Sequence, residues 1–189
     1  MKKTTFLFSA LLLTAVAAPV CKDGICELPA GNESGLSAVP TCTIPPVRQG
    51  PRLSSLNGKT FALVGGSFMA SVTHPELKRL ILAEFPKARV ILLNEIGSAG
   101  PYPRPGVVRR EKDEFQRKLK EMKVDAVISG NGGCGLCTPK ETGSCIAAEM
   151  LGIPSVMIAG PGFVTQAKST ARSAGIEKLR VAEYPGAFA

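Results

Sequence analysis

The chain contains no tryptophan, a single histidine (His74), and aromatic residues at only 5% of its 189 positions. These scarcities exclude a good deal. One histidine cannot build a His-rich metal centre, and an isolated Cys-x-x-Cys lacks the further ligands that tetrahedral zinc requires, so no metal site is expected. No serine stands in a nucleophile-elbow setting with an acid and a histidine following, which disfavours acyl hydrolysis by a triad. No complete G-x-G-x-x-G or Walker run is present, so a nucleotide has no fingerprint here and no cofactor is expected. Basic residues are not interleaved with aromatics, which argues against a base-stacking nucleic-acid surface. The formal net charge is +8, but Arg117, Lys118, Lys120 and Lys123 alternate with Glu114 and Glu121, the pattern of a solvated helix face. No apolar run is long enough and clean enough to favour a membrane span.

What is present begins with a targeting signal. Lys2 and Lys3 precede an apolar stretch over 6–16, and Ala15-Val16-Ala17 fits a signal-peptidase site with cleavage before Ala18. Residues 1–17 therefore read as a signal peptide. The mature protein is expected in a secreted, secretory-pathway or periplasmic setting, without stable membrane association. Such compartments permit disulfides. Six cysteines, Cys21, Cys26, Cys42, Cys134, Cys137 and Cys145, allow fifteen complete pairings, and the sequence does not choose among them.

Residues 18–57 read as an irregular, Pro-rich extended segment. Pro19, Pro29, Pro40, Pro45, Pro46 and Pro51 interrupt any helix. Within it, CKDGIC places an Asp-Gly turn between Cys21 and Cys26, as in a small disulfide-closed loop.

From residue 58 to 189 the texture changes to that of one domain. Short apolar, β-branched runs over 60–64, 89–93, 124–129, 155–159 and 179–182 predict strands. Between them, helical spacing predicts helices over 74–85, 110–123, 139–151 and 164–174. Leu77, Leu80, Ile81 and Phe85 mark the first of these, with Pro75 in its first turn. Phe115, Leu119 and Met122 mark the second. Alternating strands and helices imply an α/β fold with a doubly wound, mostly parallel five-stranded sheet. The flavodoxin-like order 2-1-3-4-5 is expected. In such sheets ligands bind beyond the carboxyl ends of the strands, near the switch point. Three of those ends are glycine-rich: Gly65-Gly66-Ser67, Gly130-Asn131-Gly132-Gly133 and Gly160-Pro161-Gly162. Gly66, Ser67, Asn131, Gly133 and Gly162 are the candidate substrate-binding residues. The alternatives are turn chemistry for the glycines, capping for Ser67 and an Asx turn for Asn131. His74 is a candidate general base, against the blander reading of a surface residue at a helix end. Glu95 ends the second strand region and reads as solvated.

The second of these glycine-rich ends continues as Cys134-Gly135-Leu136-Cys137-Thr138-Pro139-Lys140-Glu141. Thr138 as cap, Pro139 at the first helical position and Glu141 three residues on predict a capping box. Cys137 is then expected just outside a helix N-terminus, where unbonded N–H groups and the macrodipole favour a thiolate. A redox pair, a structural bridge and a metal site compete for this motif. Cys145, two turns further on, reads as a small buried residue. Cap proximity alone favours Cys137 as the more easily ionised sulfur.

GCGLCT followed by GIPSVMIAG, together with the lead PTCTIPPVRQGPRLSSLNGKTFALVGGSF, resembles the UGSC-type (seleno)proteins, named for a Sec-Gly-Ser-Cys motif. The resemblance spans about 40–186. It implies that Cys134 stands at the selenocysteine position, with Cys137 at the following cysteine, and that the chemistry is thiol or selenol redox. On that likeness Cys134 attacks and Cys137 resolves. The chain departs from the motif at Leu136, where serine is expected. It departs again at Gly143 and Ser144, where a His-Asp pair is expected.

The sequence therefore supports a thiol-dependent oxidoreductase. Cys134 and Cys137 would be catalytic, with a small-molecule or thiol substrate and an external thiol reductant as partners. The alternative is a secreted, non-catalytic α/β module that binds a small ligand and uses its cysteines as bridges. Oligomeric state is not specified.

Overall fold

A computed structural model describes residues 20–22, 25–27, 44–92 and 105–186, with side chains from residue 44 onward except over 105–109. The chain divides into two units, Met1–Ile44 and Pro45–Ala189. In the first, β1 (Val20–Lys22) and β2 (Ile25–Glu27) form an antiparallel ladder in which Cys21 is the register partner of Cys26. The expected signal peptide, the expected Asp23-Gly24 turn, Cys42 and Glu95 lie outside the described residues.

The second unit is the α/β domain. Its strands are β3 (Thr60–Val64), β4 (Arg89–Leu92), β5 (Ala126–Gly132), β6 (Ser155–Ala159) and β7 (Val181–Glu183). Its helices are α1 (Ala70–Glu84), α2 (Pro105–Glu121), α3 (Cys137–Glu149) and α4 (Val164–Arg172). The sheet order is β4-β3-β5-β6-β7 and every pairing is parallel, so the expected 2-1-3-4-5 arrangement is the observed one.

Alternation along the strands explains the two layers. Ala62 and Val64 point to one face, where they pack with Phe115 and Leu119 of α2 and Ala147 and Ala148 of α3. Phe61 and Leu63 point to the other, against Leu77 and Ile81 of α1. Leu80, expected on the same apolar stripe, is instead an exposed residue of α1. A third cluster, Cys145, Met157, Ala167, Ala171, Ile176 and Leu179, joins α3 and α4 to the sheet. The outer face of α2 carries Arg117–Glu121 and Glu114–Lys118 ion pairs at i,i+4 spacing, each worth about 0.3–0.5 kcal/mol.

Two elements differ from expectation in ways that bear on the site. α1 starts at Ala70, well before His74, so Pro75 lies inside the helix rather than at its first position. The chain enters α1 through Phe68 and Met69 in left-handed conformation, φ 41° and 55°. β5 runs on through Asn131 to Gly132, so this glycine-rich stretch is strand rather than loop, with a register shift against β6 between Ser129 and Gly132.

The Pro-rich lead over 45–57 is irregular, as expected, but belongs to the domain. The Val47 amide donates to the Gly175 carbonyl at 2.8 Å, and Leu53 packs with the Phe61 cluster. Glu149, fully buried at the end of α3, fixes this lead. Its Oε2 accepts the Gly50 amide at 2.6 Å, and its Oε1 accepts the Ser155 amide at 2.7 Å, the Ser155 hydroxyl at 2.9 Å and Arg180 Nη1 at 3.1 Å. Arg180 Nη2 returns to the Gly50 carbonyl at 3.0 Å. One carboxylate thus ties the lead, α3, β6 and the approach to β7.

Candidate functional site

The two cysteines sit where β5 gives way to α3, at the carboxyl edge of the sheet. Their sulfurs are at disulfide distance and their Cα atoms 5.4 Å apart, inside the range a bridge accepts. Cys134 is half-buried and Cys137 only 8% exposed, while Leu136 between them is 88% exposed at the tip of the turn.

Cys137 is not outside the helix but is its first residue, and this corrects the expected capping box. Leu136 is the N-cap and makes no side-chain cap bond. Thr138 is buried within the first turn, and its Oγ1 has no hydrogen-bond partner. Glu141 reaches away from the helix start altogether. The reason lies in the Cys loop itself. The Thr138 amide donates to the Cys134 carbonyl at 3.1 Å, and the Cys137 amide donates to Cys134 Sγ at 3.0 Å. A side-chain acceptor on the amide of a helix's first residue satisfies one of its orphan donors from just outside the helix. Here a sulfur occupies the place usually held by an Asp or Ser oxygen, so Thr138 has no capping role left. The Gly133 amide donates to Cys137 Sγ at 3.4 Å. From α4, Gln166 Nε2 holds the Gly135 carbonyl at 2.8 Å.

One turn beyond Cys137, Glu141 is fully buried. Its Oε1 accepts the Gly66 amide at 3.2 Å and the Ser67 hydroxyl at 3.0 Å, while its Oε2 has no partner among the described residues. Gly65, at φ 110°, has no room for a side chain: an added Cβ would overlap the Gly130 carbonyl and come 2.5 Å from Glu141 Oε2. Glu141 therefore clamps the β3 exit turn against the end of β5. Burial pushes its carboxyl above the ordinary value of 4.5. A raised folded-state value means that ionisation opposes folding. This stability is complete below pH 4.5 and falls as pH rises through the raised value. Glu141→Gln is accordingly expected to gain on wild type as pH increases from 5 to 8, read as the difference between their denaturant midpoints.

The remaining expected residues take distinct places. Gly66 and Ser67 meet at Glu141, and Gly133 meets Cys137. Asn131 is buried and forms no Asx turn. Its Nδ2 donates to the Phe68 carbonyl at 2.7 Å and Thr73 Oγ1 at 2.9 Å, tying the end of β5 to the entry of α1. Gly162 is at an exposed turn after β6 with φ 83°. Cys145 is buried and free, and burial pushes its thiol up to about 12.

His74 is the largest departure. It is 4% exposed, inside α1, with Nε2 unpartnered among the described residues, and burial lowers its affinity for a second proton. It lines a cavity of about 390 Å³ with Gly65, Gly66, Ala70, Ser71 and Leu92, at the carboxyl ends of β3 and β4. Its burial was hidden because α1 starts earlier than Pro75 suggests. The earlier turn carries no cap signature, the N-cap being a left-handed Met69 without a side-chain bond.

A family model described as the UGSC family matches residues 38–189. The chain belongs to the UGSC family. The match takes in the lead over 45–57, which packs on the domain, and the whole sheet with its Cys loop. No curated protein matches significantly. In this UGSC-family member the position expected to hold the motif serine is the exposed Leu136, while Gly143 and Ser144 lie within α3, the latter fully buried. Among the described residues no helix is long and apolar enough to cross a membrane.

Proposed function

We propose that this UGSC-family protein is an exported thiol–disulfide oxidoreductase in which Cys134 attacks and Cys137 resolves. The reading rests on one observation: the Cys137 amide, at the start of α3, donates to Cys134 Sγ at 3.0 Å. A sulfur in a capping position gains most when it is anionic, because it then meets both an N–H donor and the positive end of the helix. Burial orders the pair in the same sense. Cys134 is half-buried and within reach of a partner, whereas Cys137 is covered. The expectation that Cys137 is the more ionisable sulfur assumed a cap after it, and the cap lies before it.

The chemistry closes without a cofactor. Cys134 thiolate attacks one sulfur of a substrate disulfide and expels the other as a thiolate, leaving a mixed disulfide. Cys137, deprotonated, attacks Cys134 Sγ and expels the second substrate thiolate, leaving the Cys134–Cys137 bridge. Two equivalents of an external thiol, oxidised to their own disulfide, restore the dithiol.

Alkylation tests this reading. After mild reduction, iodoacetamide should label Cys134 first, as located by peptide mapping, with a rate profile displaced to the acid side of an ordinary thiol. Cys145 serves as the internal slow control, since its buried thiol is held near 12. Labelling of Cys134 and Cys137 only on unfolding would make the bridge structural and remove the proposal.

A further inference from the structure

We infer that the cavity containing His74 is a binding pocket for a small monocarboxylate with a short apolar tail. The inference goes beyond the thiol reading and needs neither sulfur. The cavity, about 390 Å³, has the size of a ligand pocket rather than of a single water. It lies outside the carboxyl ends of β3 and β4, beside the strand-order reversal where parallel sheets place ligands.

Its polar groups converge as donors. Ala70 and Ser71 open α1; the Ala70 amide donates to the Ser67 carbonyl at 3.2 Å, which leaves the Ser71 amide as the first-turn donor for a ligand. The Ser71 hydroxyl stands at the same turn. His74, one turn further along, presents Nε2 from a buried position with no partner among the described residues. A buried unpaired ring nitrogen costs free energy unless a ligand or solvent completes it. Ala70, Pro75 and Leu92 supply apolar wall, and none of the described lining residues carries a carboxylate.

Charge narrows the ligand further. Among the described residues no lysine or arginine lines the cavity, so a dianion such as phosphate would lack a counter-charge from them. A single carboxylate asks less: amide and hydroxyl donors, a helix N-terminus and one imidazole. Glu141 stands behind the Gly65–Gly66 turn, and burial biases it toward its neutral form, which reduces its repulsion of an anion.

The sole histidine makes the test direct. In full-length protein labelled with ¹⁵N-histidine, the imidazole resonances report this pocket without assignment. At neutral pH and constant ionic strength, propionate should shift them saturably with Kd on the order of 1 mM, the scale for so small a ligand. Propionamide, a neutral isostere, should bind at least about tenfold more weakly. Ser71 is exposed, and aspartate suits a first helical turn, so Ser71→Asp should fold and weaken propionate by a similar factor. Absence of a saturable shift, equal binding of the amide, or undiminished binding by S71D would each overturn the pocket as described.

Discussion

Cys134→Ser is expected to abolish disulfide turnover, while Cys137→Ser stops it halfway. With dithiobis(nitrobenzoate) as substrate, the reduced Cys134–Cys137 pair should release two thionitrobenzoate equivalents in its fast phase. Cys137→Ser should release one and retain the other as a mixed disulfide on Cys134, visible as an intact-mass adduct. Cys134→Ser should lose the fast phase, by roughly 10³-fold or more, because the remaining sulfur is covered and loss of a nucleophile removes the covalent route. The asymmetry decides between roles. Equal behaviour of the two variants would contradict a dedicated attacker, and a stable adduct on Cys137 alone would reverse the assignment. Cys134→Ser also keeps a capping acceptor at the start of α3, since a hydroxyl can take the Cys137 amide. Lost activity in that variant would therefore not be traced to a lost helix.

The second large effect is on stability. Glu149→Ala is expected to cost about 3–5 kcal/mol, the range found when one partner of a buried ion pair is removed. The carboxylate is fully buried and accepts from Arg180, Gly50 and Ser155 together, so its removal strands a guanidinium and two amides at once. For a domain of this size each kcal/mol moves the midpoint by about 2–4 °C, which places the expected drop at roughly 6–20 °C. Calorimetry of the intact chain measures it. A fall of under about 2 °C would show that water replaces the carboxylate and that the lead over 45–57 docks without it.

Much of the fold is legible in the sequence because strand and helix announce themselves by different periods. The runs at 60–64 and 155–159 match β3 and β6 residue for residue, and Phe115 with Leu119 mark the buried stripe of α2. What escapes is what the chain does between elements. Thr138-Pro139-Lys140-Glu141 reads locally as a capping box, yet a bond from the Cys137 amide to Cys134 Sγ starts α3 earlier, and nothing in the pattern distinguishes a sulfur cap from a hydroxyl cap. Glu141 reads as the acid of that box, and Glu149 carries no signal in the pattern. Each instead finds amide donors on segments about seventy and a hundred residues away, contacts that no local window contains. His74 is misread for a related reason. Pro75 suggests a helix start, but α1 begins at Ala70 after two left-handed residues, so His74 faces inward. The cysteine pair is the opposite case. The pair is legible because a two-residue spacer brings the sulfurs to disulfide distance, whereas the backbone amide that meets Cys134 Sγ has no letter of its own.

The Glu149 knot also sets a schedule for synthesis. Arg180 leaves the ribosome 130 residues after Gly50, and Glu149 itself 99 residues after it. At ordinary translation speeds of roughly 5–20 residues per second, the Gly50 segment waits on the order of ten seconds for its last partner. During that interval the nascent chain carries an undocked proline-rich arm. The arm gains its last partner only once the residue that leads into the sheet's edge strand has emerged.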